Sequence, residues 1–262
     1  MINPSLREVY RSRWRRQREG IRLLDVQQDA FAAGGLGVYT PDLAVRLVVL
    51  PGDPENEWID FNDQFWEWWK GQQKGPFDGI PSRWDRSRSM ASAAVRYRPL
   101  SDDSSKWRAY LALYRHGGLD VGLGHDGARQ LDENTRIFVL LAIVGSVWTA
   151  LHLYTEAVAR FKINGPWECS AALLRTKGAK LGGFGTGWAQ YNDPDANPLP
   201  CLEPNLWWRR EMDKWPQPAG IRDLAYSIGS WIEDSWGMRC RRFLALTGAL
   251  AGQFDTVAYR SY

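Results

Sequence analysis

His116 and His125 bracket a short apolar stretch, Leu119–Leu123, and Asp120 and Asp126 fall beside them. A histidine within hydrogen-bond reach of a carboxylate can take and return a proton near neutral pH, so this region holds the material for acid–base chemistry. The set stops there. No serine sits in a G-x-S-x-G turn, and no other activated nucleophile or metal-ligand set accompanies the pair. A polar hairpin edge is the simpler expectation, with an enzyme centred on His116, Asp120 and His125 as an alternative. His152, inside a long apolar segment, is expected to be a buried histidine with its hydrogen bonds satisfied.

Two further patterns resemble ligand loops and lack essential parts. The run from Gly182 to Gly187 (GGFGTG) has the glycine density that lets a backbone approach phosphate. No Lys-Ser or Lys-Thr pair follows it, and Tyr191–Pro200 cannot supply the helix N-terminus of a phosphate site. Asp193, Asp195 and Asn197 have the spacing of a calcium loop, but Pro198 and Pro204 occupy the positions that need glycine and a bidentate glutamate. The three cysteines, Cys169, Cys201 and Cys240, are odd in number and far apart. That spacing points away from a disulfide framework or zinc site and toward a cytoplasmic chain, so neither a metal nor a cofactor is expected.

Arginine and tryptophan are where the composition is unusual. The first 22 residues carry seven arginines against Glu8 and Glu19, a local +5 within a chain whose total is +3. The basic character is therefore confined to patches. Arg7, Arg11, Arg15 and Arg18, with Arg83, Arg86, Arg88, Arg96 and Arg98 further on, can neutralise phosphates without reading sequence. Trp14 and Trp84 lie among them, and an exposed indole can stack on bases. The chain holds 15 tryptophans, most of them expected in the core, and indoles also serve as anchors at protein and ligand surfaces. Adjacent indoles cannot share one helix or strand face. Trp66, Trp68 and Trp69 should therefore leave one ring partly exposed, and Trp207 and Trp208 should leave another.

The elements that must position these groups follow from periodicity. Ser5-Leu6-Arg7-Glu8 has the form of a capping box, and the residues after it predict a basic N-terminal helix. Ala44–Leu50 predicts a buried strand. Phe61–Lys70 predicts a short amphipathic helix capped by Asn62. Ala93–Arg98 and Lys106–Tyr114 predict strands, the second with Trp107, Ala109, Leu111 and Leu113 on one face, and Gly117-Gly118 turns it into Leu119–Leu123.

A long core helix is expected over about Glu133 to Lys162, stopped by Asn164-Gly165-Pro166. Its apolar run, Ile137–Leu151, is shorter than the ~20 residues of a membrane span, so no membrane association is expected. Trp167–Thr176 and Ala179–Phe184 predict a second hairpin, and Glu203–Met212 a further strand; Pro218-Ala219-Gly220 leads into a final helix with Ile221, Leu224, Ala225, Ile228, Trp231 and Ile232 on one face and Gly237 as its stop. Strands in runs joined by tight turns imply an α+β fold. The expectation is an antiparallel sheet of about five to seven strands on a long buried helix, in one domain over residues 1–262, with residues 1–36 as a helical arm and 37–262 as the body.

Several segments resemble a known family. Leu6-Arg7-Glu8-Val9-Tyr10-Arg11-Ser12-Arg13-Trp14 is similar to a helix, and Val45-Arg46-Leu47-Val48-Val49-Leu50-Pro51 to the strand after it, in the C-terminal accessory region of actinobacterial Schlafen AlbA-type proteins. Trp107–Gly122, with its Tyr114-Arg115-His116-Gly117-Gly118 turn, and Gly165-Pro166-Trp167 resemble later segments of that region. The AlbA-type domain, which carries the DNA- or ATP-binding function of those proteins, has no counterpart in these residues, so no functional residue is carried over. The resemblance implies an accessory or regulatory module whose partner is a protein, an AlbA-type domain protein among the candidates.

Three readings remain. The first is a non-enzymatic binding or regulatory module engaging a partner protein or ligand through Trp66, Trp68, Trp69, Trp207 and Trp208. The second is a nucleic-acid-binding accessory protein using the Arg-rich N-terminal helix. The third is the His116/Asp120/His125 enzyme.

Overall fold

A computed structural model describes residues 39–40, 42–52, 56–72, 86–130, 133, 135–182 and 199–237. The N-terminal arm, Arg83, Trp84, most of the Gly182–Gly187 run, the Asp193–Asn197 pattern and Cys240 lie outside the described residues.

The sequence VRLVVL forms β1 (Val45–Leu50), buried along its whole length. β-Branched and leucine side chains on both faces suit a strand covered on both sides. β1 pairs antiparallel with β5 (Leu119–Leu123) on one side and with β8 (Trp167–Leu174) on the other. Beyond β5 the sheet continues through β4 (Trp107–Tyr114) and β3 (Ala93–Pro99) to the edge strand β2 (Arg86–Ser89). Beyond β8 it ends in β10 (Asn205–Met212). The result is a seven-stranded sheet in which every pairing is antiparallel, as the run of strands predicts.

One face of this sheet carries the helices and is apolar across β1, β4, β5 and β8. Val45, Leu47, Val49, Leu111, Leu113, Val121, Cys169, Ala171 and Leu173 project from it into the main core. Against them lies α2 (Leu140–Phe161), whose Leu140, Ile143, Val144, Val147, Leu151, Tyr154 and Ala157 recur at helical spacing and are buried. α3 (Pro218–Ser235) packs beside α2 through Ile221, Leu224, Ala225, Ile228 and Ile232. Pro218 opens α3, and Gly237, at φ +66°, follows its end. α2 is long and apolar enough to cross a bilayer, and 67% of its most apolar stretch is buried within the fold.

Four expectations about this framework are corrected. The long helix begins at Leu140 and not at Glu133, because Arg136–Val139 forms β7. β7 pairs antiparallel with β6 (Ala128–Gln130) and parallel with β9 (Lys180–Gly182) in a second, three-stranded sheet. A buried apolar run reads alike as strand or helix, so Ile137, Phe138 and Val139 took the state their neighbours offered.

β8 and β9 do not form a hairpin. After β8, Thr176 N–H donates to the Pro204 carbonyl and Gly178 N–H to that of Cys201, while Cys201 N–H donates to Ala179. The turn's backbone groups are thus satisfied by the approach to β10, and the chain leaves the sheet.

Trp107 joins the face opposite to the one its alternation predicts. The register shifts between Arg98 and Pro99, and a bulge at that point reverses the parity of the strand's first residue. At the β4–β5 turn only Gly117 has positive φ, +77°. Gly118 is required for space, since a Cβ there would lie 2.4 Å from the His116 ring.

Candidate functional site

The predicted short helix is α1 (Asp63–Gly71), and the Asn62 side chain accepts from Phe65 N–H at 3.0 Å. Its far end is held from the sheet. Arg96, on the helix-bearing face of β3, donates to the carbonyls of Trp69 and Gln72 and lies 4.9 Å from the Trp69 ring centre. Burial lowers the Arg96 guanidinium to about 10. Arg96 is therefore a buried clamp on the helix C-terminus, where carbonyls lack partners, and not a phosphate contact. Trp69 is buried beside it and donates to Ser87 Oγ at 3.0 Å.

The clamp leaves the other two indoles of α1 half-buried. Trp66 donates to the Phe61 carbonyl at 3.1 Å, and Trp68 meets Phe161, from the end of α2, edge-on at 5.1 Å. Phe65 sits between them, with ring contacts to Phe61, Trp66, Trp68 and Phe161. Next to this cluster a cleft of about 510 Å³ opens, lined by Trp58, Phe65 and Phe161 with Asp60, Asn62, Gln64 and Arg160 at its polar positions. Arg115 lies over the Phe61 ring at 4.4 Å and 3.9 Å from the Asp60 carboxylate. Aromatic walls with a few amide and charged groups are the usual make-up of a concave recognition site. Trp58, Phe61, Phe65, Arg160 and Phe161 were not anticipated as site residues. A cluster assembled from a loop, a short helix and the last turn of α2 leaves no local motif.

The structure does not bring the two tryptophan groups together. Trp207 is 48% exposed on the edge strand β10, and Trp208 turns inward against the core, as adjacent strand residues must. Five strand spacings separate β3, which anchors α1, from β10, roughly 24 Å by the usual interstrand distance. The Trp-rich surface is thus two surfaces.

The sheet face away from the helices carries a buried polar row. Arg46 donates through Nε and Nη2 to the two carboxylate oxygens of Asp120, at 2.9 and 2.8 Å. Tyr110 and Tyr114 add hydroxyl bonds to the same carboxylate at 3.2 and 3.5 Å. Burial alone would lower the Arg46 pKa, but Asp120 and the two tyrosines outweigh it and raise it, so the guanidinium stays charged. Burial lifts the Tyr110 hydroxyl well above its ordinary value. Along the same face Arg209 donates to Glu168 at 2.6 Å and Ser170 donates to Glu168 at 3.3 Å.

That row absorbs Asp120 and dismantles the proposed His–Asp–His centre. Asp120 is bidentate to Arg46, and Asp126 lies 3.0 Å from Arg108 and 3.4 Å from Arg98. His116 Nδ1 accepts from Gly118 N–H at 3.1 Å, with its ring stacked on Tyr114. His125 is exposed beyond the other end of β5, so the five-residue strand places the two histidines roughly 17 Å or more apart along its axis. His152, expected to be buried, is half-exposed, with Nδ1 4.0 Å from Glu156. Cys169 and Cys201 are buried free thiols, and burial lifts Cys169 to about 12. Among the described residues no group of three or more His, Cys, Asp or Glu could hold a metal ion.

Of the predicted arginine contacts, Arg86 and Arg88 are described and exposed on β2, while Arg7, Arg11, Arg15, Arg18 and Arg83 lie outside the described residues. Arg98, grouped with them in the sequence, is held at Asp126. Comparison with known proteins finds no matching family model, no similar curated protein and no similar solved structure.

Proposed function

We propose that this protein is a non-enzymatic binding or regulatory module that engages a partner protein or ligand through the aromatic cleft at α1. One observation carries the reading. Trp66 and Trp68 remain half-buried beside an open cleft, held there by a helix that is capped at Asn62 and clamped by Arg96. Aromatic residues presented on a rigid support lose little freedom on binding, and buried aromatic anchors dominate recognition energies. The separation of His116, Asp120 and His125 supports the same reading over acid–base chemistry.

The partner we propose is a protein. The resemblance of the strand and turn segments to the Schlafen AlbA-type accessory region makes an AlbA-type domain protein the first to try. The experiment is affinity capture by the immobilised full chain, compared with Arg160→Ala and Gln64→Ala, two exposed cleft positions, and with Trp58→Ala. The reading expects the cleft variants to lose a bound species that Trp207→Ala retains. Equal capture by every variant would refute it.

A further inference from the structure

On the sheet face opposite the cleft, the β2–β3 edge carries a stack of three aromatic rings with two arginines beside it. Trp107 is buried between Tyr39 and Tyr97, with ring centres 4.5 and 4.4 Å away and planes within 18° and 24° of parallel. Both tyrosines are half-buried. Arg88 lies over the Tyr39 ring at 5.6 Å, and Arg86 stands directly across the strand pair from Tyr97. The β2 sequence RSRS sends both arginines to this face and Ser87 to the other, where it accepts from Trp69. Two nearby acids are already engaged, Asp126 by Arg98 and Arg108 and Asp103 by Lys106. Arg86 and Arg88 are exposed and have no carboxylate partner among the described residues.

We infer that this corner, built from Arg86, Arg88, Tyr39 and Tyr97 over Trp107, binds single-stranded nucleic acid. Guanidinium groups spaced along an edge strand match a phosphate backbone, and half-open tyrosine rings held parallel by a buried indole offer stacking surface to unpaired bases. An acidic peptide would use the charge and leave the stack idle. A duplex, whose bases are already stacked, would do the same. The inference does not depend on the cleft, which lies on the other face and uses other residues.

The test is fluorescence anisotropy of labelled dT15 and U15 with the full chain over a range of salt concentrations. Single-strand affinity should fall with salt, with a slope of about 0.7 per phosphate contacted. Arg86→Gln with Arg88→Gln, on an exposed edge where folding does not depend on them, should weaken both oligonucleotides about tenfold and reduce the slope by about 1.4. Tyr97→Leu, which keeps the apolar contact to Trp107, should weaken binding about tenfold with the slope unchanged. Stronger loss with U15 than with dT15 would assign the site to RNA, and the reverse to DNA. Affinity unchanged by both variants would overturn the inference, as would competition by a duplex or by polyglutamate as effective as that by the single strand.

Discussion

The two faces of the seven-stranded sheet solve the burial problem in opposite ways. Toward the helices, β1 presents Val45, Leu47 and Val49, which join the main apolar core. On the other face the same strand presents Arg46, which is almost fully buried and held by Asp120 under two tyrosines. The first face gains stability by removing hydrocarbon from water, in many small and interchangeable contributions. The second depends on a few groups that must all be present, since a buried charge is costly once its partner is gone. A single alternating strand therefore feeds a tolerant layer and an intolerant one.

The difference is measurable, and the largest expected effect is on the polar side. Asp120→Ala leaves Arg46 buried without a counter-ion and should cost about 3–5 kcal/mol in chemical denaturation. Arg46→Met combined with Asp120→Leu should recover most of that loss, because a packed apolar pair replaces the ion pair without an orphaned charge. If the double variant is as unstable as the single one, the row is not held by charge pairing. On the helix side, Leu151→Ala should cost about 2–5 kcal/mol through the cavity it leaves, with no variant elsewhere able to restore it except by filling the space.

A smaller effect is expected at Gly122. The Tyr110 ring crosses this residue to reach Asp120, and a Cβ there would lie 2.1 Å from the ring and 2.9 Å from Leu43. Gly122→Ala should cost about 1–3 kcal/mol and should be rescued in part by Tyr110→Phe only if the hydroxyl, and not the ring, is what suffers. No rescue is expected, since the ring itself is displaced. Thermal melts of the two single variants and the pair decide it.

The smallest effect is a pH dependence at Glu168. Burial raises its carboxyl above the ordinary value, with Arg209 opposing. A carboxyl that holds its proton more tightly when folded contributes stability below its unfolded pKa and loses that contribution as pH rises through the folded value. Wild type should therefore lose stability relative to Glu168→Gln as pH rises from the ordinary carboxylate range toward neutrality, as followed by paired melting curves. A gap that widens in favour of wild type over that interval would contradict the assignment.

Much of the apolar face follows from the sequence, and little of the polar one does. The alternation in β4 from Ala109 onward, the glycine turn at Gly117, the Asn62 cap and the Gly237 stop are local signals, and the local signal decides them. Where a segment's state depends on a distant partner, periodicity misleads. Ile137–Val139 became a strand because β6 and β9 lie beside it, and Trp107 changed face because of a bulge. The Arg46–Asp120 pair spans 74 positions, and nothing near either residue announces the other. The aromatic cleft was half visible. One ring among Trp66, Trp68 and Trp69 is expected near the surface from spacing alone, but Phe161 reaches Trp68, and Arg160 the cleft, only through the length of α2.

The most direct test of the aromatic-cleft account is the fluorine spectrum of the full chain labelled with 5-fluorotryptophan, titrated with a panel of oligosaccharides, nucleosides, short peptides and a purified AlbA-type domain. Single Trp→Phe variants assign the resonances. The account predicts that the binder shifts the resonances of Trp58, Trp66 and Trp68 while that of the distant Trp207 stays in place. A binder that moves Trp207 and leaves those three untouched would contradict it.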